Sequence, residues 1–410
     1  MAKAKATSTP IESGSNPNLE QAGVLQYSAL VTQVLRQASG NKALETVNAS
    51  NFASVAHLVT ENTLNPMDAI MGSISQVLSR TIFSIRPYRA KLLGLERTAM
   101  EYGGWTRKIT EATEDEFTDD LGFELVSGSS VDMYQISLPK ALEFRFDKIH
   151  PLQAKKTYTL DQLKQAMSNY NEMGRFMEMV ATYMANQFEF ESENLRRLLV
   201  GNTIAAKITA DPGNVRHLIT EYNAATGLSL DGQTVMQPDN FAPFFRWAAS
   251  QILSTCQLMT EYSEIYHMNP TGYRIQRHTP LDLQRLYIAN TEYNNIVSQV
   301  LSMTFHDGLV PLPQHELVSY WQNIQKPLSI DITPRYMNEA GQAVAATEAV
   351  QQGSVFAVLW DRDCMGYSII DQNQLSTPVN AGGRYYNLWW NQTAQWRCDL
   401  TENCVVFLLD

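Results

Sequence analysis

Cysteine is scarce in this chain: four in 410 residues, Cys256, Cys364, Cys398 and Cys404, with no CxxC pair among them. That argues against a zinc ribbon or a disulfide framework and leaves reduced, buried thiols as the simplest reading. Long apolar runs are missing too. No stretch approaches the roughly 18 residues that a membrane span requires. Residues 1–18 are rich in Ala, Lys, Ser, Thr and Pro and lack the apolar core of a secretory signal. Positive charge is in deficit, with a net charge of -11, so the surface as a whole does not attract nucleic acid. Catalytic fingerprints are missing as well: no GxxxxGK[ST], no GxGxxG after a strand, no GxSxG and no HExxH. The seven histidines (His57, His150, His217, His267, His278, His306 and His315) never recur at i+3 or i+4. What remains is an ordinary globular balance, 44% hydrophobic and 18% charged, long enough for two or three cores.

Proline is absent between Pro151 and Pro212, and this gap contains the most regular pattern in the chain. Apolar residues recur every three or four positions: Leu160, Leu163, Met167, Tyr170, Gly174, Met177, Ala181, Met184, Phe188. The pattern continues through Leu195 and Leu198, with one acidic interruption at Glu191. That spacing predicts a helix over 160–199 with one face buried along its length. Thr159 with Gln162 supplies a capping box, and Gly201-Asn202 a stop. At 1.5 Å per residue such a rod is roughly 60 Å long. Glu172, Arg175, Glu178, Glu189, Glu193, Arg196 and Arg197 are expected on its wet face.

Ahead of this rod, residues 1–20 read as an extended arm whose tip carries Lys3 and Lys5. Helices are expected over 21–38 and 52–58, and from Pro66 to before Pro87. From Gly103 the period changes to two, predicting strands at 105–110, 123–126, 131–138 and 142–147. Between the first two lies an acidic run with Glu111, Glu114, Asp115, Glu116, Asp119 and Asp120. Such carboxylates can bind calcium, but the Asp-x-Asp-x-Asp-Gly spacing is absent and a solvated, self-repelling loop is the commoner explanation. Beyond the rod, helical spacing is read over 215–222, 241–262 and 280–303. From Pro311 strands and turns dominate, with 338–352 an exposed excursion or short helix. Residues 354–360 form an apolar run that predicts a buried strand, with 367–370 as its partner. Asp361 and Asp363 can imitate a paired-carboxylate site, but a turn with a local ion pair is the plainer reading. The aromatics from Tyr385 to Trp396 have no interleaved lysines, which favours core or subunit contact over base stacking. The chain closes on the apolar strand 404–409, which must be tied into a sheet to be soluble.

The order of these parts resembles the major capsid protein of tailed bacteriophages, the Hong Kong 97-type shell fold. Local wording agrees: Tyr102-Gly-Gly-Trp-Thr-Arg-Lys-Ile109, Val358-Leu-Trp-Asp-Arg-Asp-Cys-Met-Gly366, Arg384-Tyr-Tyr-Asn387 and Trp396-Arg-Cys-Asp-Leu-Thr-Glu-Asn-Cys-Val-Val-Phe407 are similar to phage capsid sequences. The resemblance implies an α+β chain with an N-terminal arm and short helices (1–66) and a helix leading into the peripheral domain (67–102). An extended β-hairpin loop with an acidic tip (103–146) and a peripheral domain with a spine helix (147–202) follow. An axial domain (203–380) and return strands to the peripheral domain (381–410) complete it. It implies a virion protein that assembles with itself into pentamers and hexamers around double-stranded DNA in the host bacterial cytoplasm. Scaffolding, portal and decoration proteins would be partners and DNA a non-specific contact, with no membrane, no metal, no cofactor and no catalytic residue. Glu111, Glu114, Asp115, Glu116, Asp119 and Asp120 would form an intersubunit loop, and Lys3 and Lys5 would face the lumen or a neighbour. A start at Met1 favours an uncleaved arm.

Two other readings are carried beside this one. An encapsulin-like nanocompartment resembles the same fold, and genome neighbours separate the two. A glycosidase-type enzyme using Asp361 and Asp363 belongs to another class, and megadalton particles would argue against it.

Overall fold

The structure, a computed structural model, describes residues 31–41, 44, 46–48, 50–62, 68–70, 72–73, 88–97, 106–112, 126–128, 130, 134, 141–146, 149–166, 170–296 and 314–410. In chain order the strands begin with β1 (Thr106–Glu111), β2 (Ala141–Phe146), β3 (Ile149–Thr159), β4 (Val215–His217) and β5 (Gln284–Ala289). There follow β6 (His315–Val318), β7 (Ile330–Ile332), β8 (Arg335–Met337), β9 (Ala343–Ala345) and β10 (Val350–Gln352). The last four are β11 (Val355–Asp361), β12 (Met365–Ser376), β13 (Tyr385–Cys398) and β14 (Cys404–Leu408). The chain divides into two compact units. One comprises Met1–Arg89, Leu152–Phe188 and Gln372–Gln392, and the other Ala90–Pro151, Glu189–Asp371 and Thr393–Asp410. These limits differ from the segments expected above, because both units are built from chain segments far apart in sequence.

The first unit rests on one apolar core. Residues 31–39 and Phe52–Asn62 are helical, and Val31, Val34, Leu35, Phe52 and Val59 enter the core at helical spacing. Of the helix expected from Pro66, residues 68–70 and 72–73 are described and helical, with Ile70 buried. The expected capping box is formed. The Thr159 N–H donates to Gln162 Oε1 at 3.1 Å, and the Gln162 N–H donates to Thr159 Oγ1 at 3.3 Å. Leu160–Ala166 is helical and Tyr170–Ala210 forms a helix of 41 residues; residues 167–169 lie outside the described set. Met173, Phe176, Met177, Val180, Met184 and Phe188 are buried, so the apolar stripe holds to this point. Strands β12, β13 and β3 form a three-stranded sheet in that order. Alternate residues of β13, Tyr386, Leu388 and Trp390, enter the same core, which settles the aromatic cluster there as packing. The Tyr158 ring meets Phe176 edge-on at 5.4 Å.

The second unit is organised by a five-stranded sheet of order β4-β14-β11-β5-β6. β11 pairs antiparallel with both β14 and β5, while β4 and β6 run parallel to their neighbours. Every residue of β11 and β14 is buried. Tyr287, Val358, Trp360, Val406 and Leu408 face one core together with Leu199, Val200 and Ile204 of the long helix. Leu286, Ile288, Phe356, Leu359, Val405 and Phe407 face another, with the helices Leu218–Thr226 and Pro238–Leu258. The sheet is thus covered on both faces, the condition under which strands read as continuous apolar runs.

Several sequence expectations are corrected here. The helical reading of 280–303 gives way to strand β5 and a short helix, Asn290–Ile296. Leu286 to Ala289 are all buried, so no period of two was visible. Val215–His217 is a strand rather than the first turn of a helix. The partner of β11 is not the segment 367–370, which belongs to β12. The terminal strand β14 lies beside β11, in the sheet of the segment expected to be axial, and not in the three-stranded sheet. The excursion 338–352 contributes a β8–β9 hairpin and strand β10. Of the segments 123–126 and 131–138 only Val126 and Tyr134 are described; both are exposed and neither is in a strand.

The predicted stop at Gly201-Asn202 is also overturned, because the helix runs on to Ala210. Both residues are seats for the β7–β8 region. A Cβ on Gly201 would lie 2.5 Å from Ile332 Cδ1. Asn202 holds the backbone of Arg335 from both sides, donating to its carbonyl and accepting from its N–H at 2.8 Å each. The helix ends where Pro212 disfavours a helical conformation at Asp211.

Candidate assembly interface

Strand β1 lies at the start of the expected loop. It pairs antiparallel with β2, from Thr106↔Phe146 to Glu111↔Ala141. An isolated ribbon of two strands is marginal in water, and this one is tied down at its base. Lys108 Nζ lies 2.5 Å from both Asp399 Oδ2 and Glu402 Oε1 and donates to Thr401 Oγ1 at 3.0 Å. Arg277 closes the cluster, 3.6 Å from Glu402 and donating to Thr110 Oγ1 at 3.1 Å. Burial pushes the Asp399 carboxyl up, yet Lys108 and Thr401 more than offset this and hold it below the usual range. Burial dominates at Glu402, which stays above its ordinary value despite Lys108 and Arg277. None of these four ionic residues was singled out from sequence. The traces were Lys108 and the tract from Asp399 to Glu402, both inside the capsid-like wording.

A second charged cluster joins residues 90–97 to the long helix. Three successive backbone N–H groups meet three carboxylates: Ala90 donates to Glu189, Lys91 to Glu193 and Leu92 to Glu316, at 2.9, 3.1 and 2.5 Å. Leu92 has φ 61, a left-handed conformation that is strained for a bulky side chain. Its side chain is buried, and its N–H is held by Glu316. Arg196 pairs with Glu96 at 2.6 Å and donates to the Lys91 carbonyl at 3.1 Å. Arg197 pairs with Glu193 at 2.6 Å and lies over the Tyr320 ring at 3.8 Å. Glu193, Arg196 and Arg197, expected on the wet face, are therefore buried, whereas Glu191 and Leu198 on the predicted stripe are exposed. The burial stripe changes face beyond Phe188 because paired charges replace apolar residues in it.

Of the predicted site residues, Glu111 ends β1 and is exposed. Glu114, Asp115, Glu116, Asp119, Asp120, Lys3 and Lys5 lie outside the described residues. Asp361 is buried and accepts from Thr279 Oγ1 and the Asp363 N–H, both at 2.7 Å. Asp363 is exposed and pairs with Arg397 at 3.4 Å, so the ion pair is with β13 and not with the adjacent Arg362. All four cysteines are free and buried. Burial pushes the Cys256 and Cys398 thiols up to about 12. Among the described residues no group of three or more His, Cys, Asp or Glu is arranged to hold a metal ion, and no helix is long and apolar enough to cross a membrane.

A family model described as Phi29-like phage major capsid protein matches residues 31–408. A chain in the solved structure of the head fiber and inner core protein gp22 of native bacteriophage P68 is 8% identical. It aligns over 80% of this chain and 87% of its own length, with a TM-score of 0.52. The capsid structure of Staphylococcus phage Andhra has 8% identity, the same coverage of 80% and 87%, and a TM-score of 0.48. That of the cyanophage P-SCSP1u has 10% identity, coverage of 80% and 90%, and a TM-score of 0.45. No curated protein matches in sequence. The P68 likeness shows a shared fold, the mixed helix-and-sheet shell fold of the Hong Kong 97 kind, and the family match reaches all three cores. This chain therefore belongs to the Phi29-like phage major capsid protein family.

Proposed function

We propose that the chain forms the pentamers and hexamers of an icosahedral tailed-phage head that encloses double-stranded DNA, and that it has no catalytic activity of its own. The family match over residues 31–408 carries this reading. The side chains that sequence reading offered for catalysis support it: Asp361 is spent on a turn and Asp363 on Arg397. Assembly takes place in the bacterial cytoplasm with a scaffolding protein, and portal and decoration proteins join the particle. The unit with the three-stranded sheet is the peripheral domain, and the unit with the five-stranded sheet carries the axial domain. The arm with Lys3 and Lys5 faces the lumen or a neighbour, giving a local positive layer despite the net charge of -11. The loop from Gly103 to Phe146, with Glu111, Glu114, Asp115, Glu116, Asp119 and Asp120, reaches a neighbouring subunit.

The test is expression with and without the candidate scaffold, followed by negative-stain microscopy and sedimentation. Closed shells are expected; small discrete species under every condition would overturn the reading. Asp361→Asn with Asp363→Asn is expected to alter folding or assembly only. Any turnover abolished by both changes in intact particles would refute the non-catalytic role.

A further inference from the structure

The second unit contains a small cleft with an apolar floor and a cationic rim. Its volume is about 230 Å³. Phe146, Tyr336, Met337, Val344, Trp396 and Cys398 line it, and Arg145 and Arg335 stand at its edge. One wall is fixed: the Asn202 side chain holds both backbone groups of Arg335. The opposite wall is fixed as well, since Gln395 donates to the Phe146 carbonyl at 2.9 Å. Arg145 and Arg335 are exposed, and Arg335 makes no ion pair among the described residues. Arg107, the cross-strand partner of Arg145, does not line the cleft and is paired with Glu143 at 3.8 Å. Arg145 and Arg335 are the charged residues among those that line the cleft.

Ligand pockets for small molecules run from about 300 Å³ upward. A cleft of this size suits one large apolar side chain, the usual anchor of a protein interface. The cations prescribe what flanks that anchor: carboxylates on either side. The chain itself contains such a segment. Glu114-Asp115-Glu116-Phe117-Thr118-Asp119-Asp120 holds five carboxylates in seven residues around a single aromatic. Four other described cations are poorer receivers. Arg196 and Arg197 are buried in ion pairs, and Lys155 and Lys156 stand over the Trp389 and Tyr183 rings.

We propose that this cleft receives Phe117 from a second copy of the chain, with Arg145 and Arg335 pairing the acidic residues beside it. The inference rests on the shell reading, since only there does each subunit meet a neighbour in fixed register. Phenylalanine supplies the buried apolar area, and the charges set register and approach. Exposed pairs add little stability one at a time, so the arginines chiefly select the segment and its direction.

The test uses two full-length variants, Phe117→Cys and Ala345→Cys, co-expressed and assembled together with the scaffold. Ala345 is exposed at the cleft, and the four native cysteines are buried. Mild oxidation of mixed particles is expected to give disulfide-linked dimers on a non-reducing gel, and particles of either variant alone should give none. Intact particles without the dimer overturn the inference and leave the shell reading standing. So does a link that forms only when both cysteines sit on one chain, which would mean a subunit docks its own loop. Charge reversal gives an independent reading. Arg145→Glu with Arg335→Glu should lower particle yield at least tenfold without changing the circular dichroism of the free subunit. Adding Glu114→Lys, Asp115→Lys and Glu116→Lys should restore much of the yield. Full yield from the doubly reversed chain, or no recovery with the compensating lysines, overturns the inference. Failure of wild type to form shells sinks the function instead.

Discussion

The two halves of the long helix bury themselves by different means. From Met173 to Phe188 the buried face is Met, Phe and Val. From Ser192 to Lys207 the buried set includes Glu193, Arg196, Arg197, Asn202, Thr203 and Lys207. The first half is held by non-directional burial, where about 25 cal/mol per Å² of apolar area is the driving force. The second adds specific partners to the apolar contacts of Leu199, Val200 and Ile204: Glu193 to Arg197, Arg196 to Glu96, Asn202 to Arg335, and Lys207 to Asp211 at 2.6 Å. Buried pairs add little net stability over an apolar replacement, but breaking one is costly. The apolar half should therefore tolerate apolar residues of similar volume, and the charged half only its own partners.

The sharpest way to break this contrast is Glu193→Ala. It strands Arg197 in a buried site and removes the acceptor for the Lys91 N–H. Loss of a partner from a buried pair costs about 3–5 kcal/mol, so denaturant titration should show the largest loss of the set. A loss under about 1 kcal/mol would mean that Arg197 finds water or another carboxylate. Next comes Met177→Ala, which leaves a cavity beneath a buried side chain and should cost about 2–5 kcal/mol. Met177→Leu should cost under about 1.5 kcal/mol. A leucine as damaging as the alanine would show that the apolar half is as exacting as the charged one.

Gly201→Ala tests the close approach to Ile332. Alanine gains about 1 kcal/mol of helix propensity, but its Cβ must displace Ile332 Cδ1, and overpacking costs typically 1–3 kcal/mol. A net loss is expected from thermal melts, reversed when Ile332→Val is added. If the single variant is already more stable than wild type, the contact is not restrictive. The smallest effect should come from Thr159→Ala at the helix that begins at Leu160. Removal of this cap should cost about 1 kcal/mol, and Thr159→Ser should recover it. Equal stability for all three residues would show that the reciprocal bonds with Gln162 contribute nothing.

Legibility followed the same division. The capping box and the stripe to Phe188 were readable because each is set within a few residues of chain. The buried strands β11 and β14 were readable as apolar runs bounded by turns. Their neighbours were not, since the strand that pairs β11 besides β14 is β5, about seventy residues upstream. Strand β5 itself was misread, because burial on both faces erases the period of two. The charged half of the helix was misread as solvent-facing because sequence shows a charge but not its partner. Glu96, Glu316 and Tyr320 are about a hundred or more residues from the groups they satisfy. At the candidate interface the acidic run was plain, while Lys108, Arg277, Asp399 and Glu402 stayed hidden for the same reason.

The sequence by itself determined a mixed chain of helices and sheets with reduced thiols, a very long helix, an apolar closing strand and a resemblance to phage shells. Each of these follows from composition, from periodicity within one segment, or from local wording. Tertiary structure decided where the long helix stops, which strands share a sheet, which charges are buried and which face outward. Those outcomes depend on contacts between segments far apart in sequence. Gly201 and Asn202 show the reason most directly. Locally they spell a helix end, but Ile332 and the backbone of Arg335 need a bare helix surface and a side-chain amide at that point, so the helix continues through them.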